Sequence, residues 1–167
     1  MPEEPVNLPF TAVIGMDAVK KALMCMMADR SMKGLLIRGP SGTAKSLLVR
    51  SFFELFGDAE LVNVPLDTPD EEIFGGLDIE KAISEGRTEA SGGLLKRADG
   101  NFLFLDNINL FETGTAVSIM DCILSGNVIL EREGSSAEYS VSTAAIATMD
   151  PAEREIPDDL ADRFEMC

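Results

Sequence analysis

The stretch Gly39-Pro40-Ser41-Gly42-Thr43-Ala44-Lys45-Ser46 has the residue types and spacing that phosphate chemistry needs. A tight, glycine-containing loop aims successive backbone N–H groups, and the helix N-terminus behind them, at phosphate oxygens. The pattern G-x-x-x-x-G-K-[ST] is met everywhere except at its second glycine, which is Ala44. In that pattern Lys45 reaches the β- and γ-phosphates of ATP, and Ser46 offers a hydroxyl to Mg²⁺. The methyl of Ala44 is tolerable if φ there is negative. A strand-loop-helix turn with no ligand is the plain alternative, but strand, lysine, hydroxyl and helix coincide here. A second element is Leu103-Phe104-Leu105-Asp106, an apolar run ending in a carboxylate that would hold Mg²⁺ directly or through water. Many strands end this way. Its place about 60 residues after Lys45, in the same alternation of strands and helices, gives it weight.

These residues need a scaffold. Val19, Ala22, Leu23, Met26 and Met27 recur at helical spacing between Met16 and Asp29, with Met24, Met26 and Met27 read as core filling. Gly34–Arg38 predicts a buried strand, and Leu47–Phe56 the helix after the loop, closed by Gly57. Leu61–Val64, Phe102–Leu105 and Ala144–Thr148 predict further buried strands. Thr68 and Pro69 predict a helix start, with Glu71 completing a capping box. Thr115–Leu124 reads as a helix stopped by Gly126, and Val128–Glu133 with Glu138–Val141 as a hairpin around Gly134-Ser135-Ser136. Alternating strands and helices predict an α/β fold with a mostly parallel sheet, in one domain.

Composition narrows the chemistry. No histidine is present among 167 residues, which excludes Ser-His-Asp and Cys-His nucleophile systems and His-ligated zinc. Cys25, Cys122 and Cys167 are odd in number and far apart. They are expected to be reduced thiols of a cytoplasmic protein, with Cys25 and Cys122 as small core residues. The acidic start Met1-Pro2-Glu3-Glu4 leads into no apolar segment, and no run approaches the roughly 18 residues of a membrane span. Residues 1–60 carry 7 basic and 7 acidic side chains, whereas 61–167 carry 7 and 22, so the whole net charge of −15 lies in the second part. That balance argues against nucleic acid as a partner.

Six further segments carry a resemblance. They are Phe10–Asp17, Gly76–Ala82 with Gly93-Leu94-Leu95, Asp106–Leu110, Glu131–Gly134, and Leu160-Ala161-Asp162-Arg163-Phe164. In order and spacing the chain resembles the AAA+ module of the magnesium chelatase ATPase subunits, a P-loop NTPase core with hairpin insertions. The resemblance implies a ring of self or paralogous AAA+ subunits that binds ATP and Mg²⁺ between neighbours. Such a ring drives a larger, separate subunit to insert Mg²⁺ into protoporphyrin. By the same resemblance Lys45 and Ser46 are the Walker A pair, and Leu47, Val13 and Ile14 join the nucleotide-binding set. Asp106 becomes the Walker B aspartate, Asp150 takes the sensor-1 place, and Arg163 is the finger that reaches a neighbour's γ-phosphate. Residues 1–167 are then the nucleotide-binding core, truncated before the helical lid.

Three departures fall on catalytic positions. Ala44 replaces the Walker A glycine, Asn107 the Walker B glutamate, and Asp150 the sensor-1 asparagine. An amide orients water but accepts no proton near neutral pH, so MgATP should be bound better than it is hydrolysed. Either the chain is a regulatory or scaffold subunit, or Asp150 supplies the carboxylate that Asn107 lacks. A MoxR-like assembly ATPase remains an alternative, expected to keep the Walker B glutamate and lack the Glu131–Gly134 hairpin signature. The segment 150–165, with 7 acidic and 2 basic residues, is expected to hold Arg163 until a partner's ATP competes for it.

Overall fold

The structure, a computed structural model, describes residues 9–57, 59–77, 90–132 and 135–167. In chain order, α1 (Asp17–Ala28), β1 (Gly34–Arg38), α2 (Lys45–Leu55), β2 (Leu61–Asn63) and α3 (Asp70–Phe74) come first. A ribbon of β3 (Gly75–Leu77) and β4 (Ala90–Gly92) follows, then α4 (Leu94–Arg97), β5 (Phe102–Leu105) and α5 (Thr113–Ser125). The hairpin β6 (Asn127–Arg132) and β7 (Ser135–Ser140), then β8 (Ala144–Met149) and α6 (Asp158–Ala161), complete it.

The main sheet has the order β1-β8-β5-β2 and every pair in it is parallel. Because helices cover both faces, its strands read as continuous apolar runs rather than alternating ones. Period-two geometry then sends alternate side chains to two cores. Leu36, Leu103, Leu105 and Ala147 join Ile119, Met120 and Ile123 of α5. Leu35, Ile37, Phe102, Phe104 and Ile146 join Leu23 and Met26 of α1 and Leu48, Val49 and Phe52 of α2. Each such side chain withdrawn from water is worth about 1.5–3 kcal/mol before the entropy of ordering it. The mostly parallel α/β prediction holds, with β8 between β1 and β5.

Local details differ from the sequence expectation in several places. Thr68 does not cap α3: its hydroxyl donates to the Pro65 carbonyl at 2.8 Å, closing a turn, and Pro69 takes the cap position without a side-chain bond. Asp70, Glu71 and Glu72 instead complement the helix dipole from the first turn. Gly57 does not end α2; Phe56 does, its ring 4.7 Å from that of Phe52. Cys25 is exposed rather than core, because α1 turns Leu23 and Met26 inward, and Cys122 is only half-buried. Met24 is exposed on the same account, leaving Met26 as the fully buried methionine of its stripe.

The two ribbons pack together. The β6–β7 pairing runs from Asn127↔Ser140 to Arg132↔Ser135, and the two residues between the strands lie outside the described ones. Tyr139 Oη donates to the Phe74 carbonyl at 2.6 Å, tying this hairpin to α3, and burial pushes its hydroxyl pKa up to about 12. Residues 78–82 of the chelatase-like segment also lie outside the described residues, but its first two, Gly76 and Leu77, sit in β3. At Gly75 the backbone has φ +93°, and a Cβ there would stand 2.1 Å from the Ser91 carbonyl oxygen. Gly75→Ala should therefore lower the unfolding free energy by at least about 2 kcal/mol. Denaturant unfolding checks it; an unchanged midpoint would contradict the close approach.

Candidate nucleotide site

Three adjacent strands, β1, β8 and β5, deliver their carboxyl ends to one place, the usual ligand side of an open parallel sheet. The phosphate-loop segment leaves β1, Asp150 follows β8, and Asp106 follows β5. The loop reverses direction through left-handed backbone at Gly42 (φ +77°) and again at Ala44 (φ +62°, ψ 23°), directly before α2. The condition of a negative φ at Ala44 is thus not met. Its methyl carries the left-handed penalty of about 1–2 kcal/mol, which the family glycine avoids. Lys45 is buried and folds back on its own loop, Nζ donating to the Gly39 carbonyl at 2.7 Å and the Pro40 carbonyl at 2.8 Å. Thr43 Oγ1 donates to the Pro40 carbonyl as well.

Beneath the loop the two motif halves meet. Ser46 Oγ donates to Asp106 Oδ1 at 2.5 Å, and Thr148 Oγ1 donates to the same oxygen at 2.7 Å. Asp106 Oδ2 pairs with Arg50 Nη2 at 3.2 Å. A hydroxyl beside a carboxylate is a hard-oxygen set of the kind Mg²⁺ accepts. That ion keeps most of its waters and takes only one or two protein ligands beside phosphate. The residues present therefore fit the metal that the motifs imply. Among the described residues no cluster of three His, Cys, Asp or Glu forms a separate metal cage.

Asn107, just past Asp106, is left-handed (φ +58°), and its backbone N–H donates to Thr148 Oγ1 at 2.9 Å. Asp150 is almost fully buried. Its Oδ2 accepts the Ser41 N–H at 2.7 Å and its Oδ1 the Ala152 N–H at 2.9 Å. Both carboxylate oxygens are thus engaged by backbone donors, one of them in the phosphate loop. Asn109 Nδ2 donates to the Asp150 carbonyl at 3.2 Å and braces the same turn.

Arg163 lies elsewhere. Its neighbour Phe164 packs against Gly34, at the opposite end of β1 from the loop, and Met166 continues beside Leu35 as a parallel bridge. The guanidinium donates to both Asp121 oxygens, at 2.7 and 3.3 Å, and to the Asp159 carbonyl. The bond to Asp121, with Asp121 and Asp159 charges nearby, holds its pKa above the usual arginine value. Val13 and Ile14 sit in a segment held on α2 by the Phe10–Phe52 ring contact, 5.4 Å between centroids. Val13 is buried and Ile14 exposed. No hydrogen bond among the described residues joins them to the loop, and Leu47 stands one residue further along α2 than Ser46.

The family model described as "AAA domain (dynein-related subfamily)" matches residues 34–164, which include every one of these strand ends. The chain belongs to that family. Its relatives include the magnesium-chelatase 67 kDa subunit of Chlorobaculum parvum, 32% identical over 94% of this chain and 26% of the relative. The magnesium-chelatase subunit ChlI homolog of Methanocaldococcus jannaschii is 31% identical over 93% of this chain and 53% of that protein. The chain thus spans between a quarter and just over half of these relatives. Among solved structures, a complex between subunits BchI and BchD of magnesium chelatase superposes with a TM-score of 0.76. It is 28% identical and covers 94% of this chain and 59% of that one. NtrX from Brucella abortus in complex with ADP shares the fold, with a TM-score of 0.62 at 22% identity over 90% of this chain and 34% of that one.

Reading the AAA domain from sequence alone misses three residues that complete the geometry. Thr148 lies inside an apolar strand, where a single hydroxyl reads as a β-former. Arg50 lies within the loop helix, one turn after Ser46, and resembles any solvated arginine. Asp121, the partner of Arg163, comes from α5, so acidic residues near Arg163 in the chain predict only Asp159. Helical spacing could have flagged Arg50: residues 46 and 50 are four apart and share a face. Among the described residues no helix is long and apolar enough to cross a membrane.

Proposed function

We propose that this AAA domain binds MgATP between subunits of a chelatase-like assembly, drives work by a larger partner subunit, and hydrolyses ATP weakly. The 2.5 Å contact between Ser46 and Asp106 carries this, since it joins two motif halves 60 residues apart under the loop that holds Lys45. When bound, Mg²⁺ would neutralise charge on the β- and γ-phosphates. Ser46 and Asp106 would hold it, Lys45 would leave its loop carbonyls for the phosphates, and the loop N–H groups would orient them. Calorimetry with MgATP on the whole chain tests the reading.

Weak hydrolysis follows from Asn107. The alternative, in which Asp150 replaces the missing carboxylate, is disfavoured by its geometry, because both oxygens already accept backbone N–H groups. Asp150 supports the loop instead. The names of the relatives, and the paired strands that contain Glu131 and Arg132, favour a chelatase-like subunit over a MoxR-like one. Metal insertion into a tetrapyrrole is the corresponding end use.

Arg163 faces away from its own loop, the placement expected of a residue that serves a neighbour. Asp121 and Asp159 hold it until a competing γ-phosphate arrives. ATP-dependent self-association should therefore weaken about tenfold in Arg163→Ala. It should also fall between about 0.1 M and about 1 M salt, as the Debye length shrinks from ~10 to ~3 Å. Sedimentation velocity with and without MgATP measures both. Association that ignores salt and survives the substitution would contradict this role.

A further inference from the structure

The Asp106 carboxylate has a donor on each oxygen before any metal arrives. Ser46 and Thr148 occupy Oδ1, and Arg50 occupies Oδ2. Thr148 is wholly buried in β8 and cannot withdraw. Arg50 is a long side chain, about half exposed at 49%, with its guanidinium carbon 5.2 Å from the centre of the Phe104 ring. That ring face, negative at its centre, gives the cation a second resting contact. Lys45 shows the same arrangement on its own scale, held by two loop carbonyls. Both cations of the site are thus satisfied by the protein's own oxygens.

We propose that Arg50 is a built-in counter-cation for Asp106 that competes with Mg²⁺, and so sets how much Mg²⁺ this site requires for nucleotide binding. The inference rests on the MgATP reading above. A divalent ion within reach of Asp106 places a like charge beside the guanidinium, and the two repel. One of them must move. Arg50, on the flexible side, is the one that yields. It is a positioning residue: it acts through Asp106 and touches no reacting atom. The pairing keeps the carboxylate aimed and neutralised while the site is empty, at the expense of metal affinity.

The experiment is an Mg²⁺ titration of ATP binding, followed by calorimetry on wild type, Arg50→Gln and Arg50→Lys. It is accompanied by thermal melts in EDTA and in saturating MgATP. Arg50→Gln should lower the Mg²⁺ concentration at half-effect by about two- to fivefold, the range of an exposed ion pair. It should lower the melting temperature in EDTA but not in MgATP. Arg50→Lys should lie between. A residue that merely supports the fold would lower both melts alike and leave the Mg²⁺ midpoint unmoved. An unmoved midpoint, or one displaced to higher Mg²⁺, overturns the proposal. Wild type that fails to bind ATP at all would instead sink the nucleotide reading. Melts in EDTA and in Mg²⁺ without nucleotide would then still test Arg50 against the metal alone.

Discussion

Asn107→Glu should raise ATP turnover by about 10²–10⁴-fold over the unchanged chain in the same assembly, the usual worth of a positioned general base. Asn107 directly follows Asp106 at the end of β5, and in the proposed function it stands where a general base would face the attacking water. An amide can hold that water but cannot take its proton. Its backbone is already fixed in the left-handed region and bonded to Thr148, so glutamate inherits a defined position. Glutamate is less content than asparagine at φ +58°, which makes some loss of stability a built-in side effect. Steady-state phosphate release, measured with any active partner subunit present, is the readout. Turnover that stays flat in a folded Asn107→Glu chain would show that Asn107 is not what limits hydrolysis. The companion substitution Asp150→Asn should leave turnover low. Were Asp150 the surrogate base, that change would abolish whatever turnover exists.

The sheet was legible because burial on both faces writes a strand as an uninterrupted apolar run. Phe102–Leu105 and Gly34–Arg38 have the bounds their residues predict. The meeting of the Gly39–Ser46 loop with Asp106 was legible for a different reason: phosphate and Mg²⁺ chemistry would dictate residue types at fixed spacing. Caps were not. Thr68 and Gly57 have the right types for helix ends, yet a nearer acceptor at Pro65 and the Phe52–Phe56 ring contact decide the outcome. Backbone sign at Ala44 was equally hidden, because residue type only weights φ and the loop's reversal into α2 imposes it. The environment of Asp106 was invisible for a topological reason. Thr148 reaches it only because β8 inserts between β1 and β5, and strand order is not written in any local window.

Asp121 makes the same point for Arg163. A motif can nominate a finger, but the helix that holds it at rest comes from 42 residues earlier in the chain. The acidic excess of residues 61–167 thus has at least one defined task, holding the Arg163 cation at the end of the sheet away from the Gly39–Ser46 loop.

Lys45→Ala should reduce MgATP affinity about 100-fold. The substitution deletes the ammonium, the only described side-chain cation hydrogen-bonded to the phosphate loop, and charge-assisted hydrogen bonds to an anion are the strong ones. The Gly39 and Pro40 carbonyls it leaves border the loop surface, where water can replace it, so the fold should persist. Isothermal titration of MgATP into wild type and Lys45→Ala, with a melt of each as the folding control, tests the nucleotide site most directly. A saturable isotherm in wild type that vanishes in a folded Lys45→Ala chain is the predicted result. Equal affinity in the two proteins would contradict it.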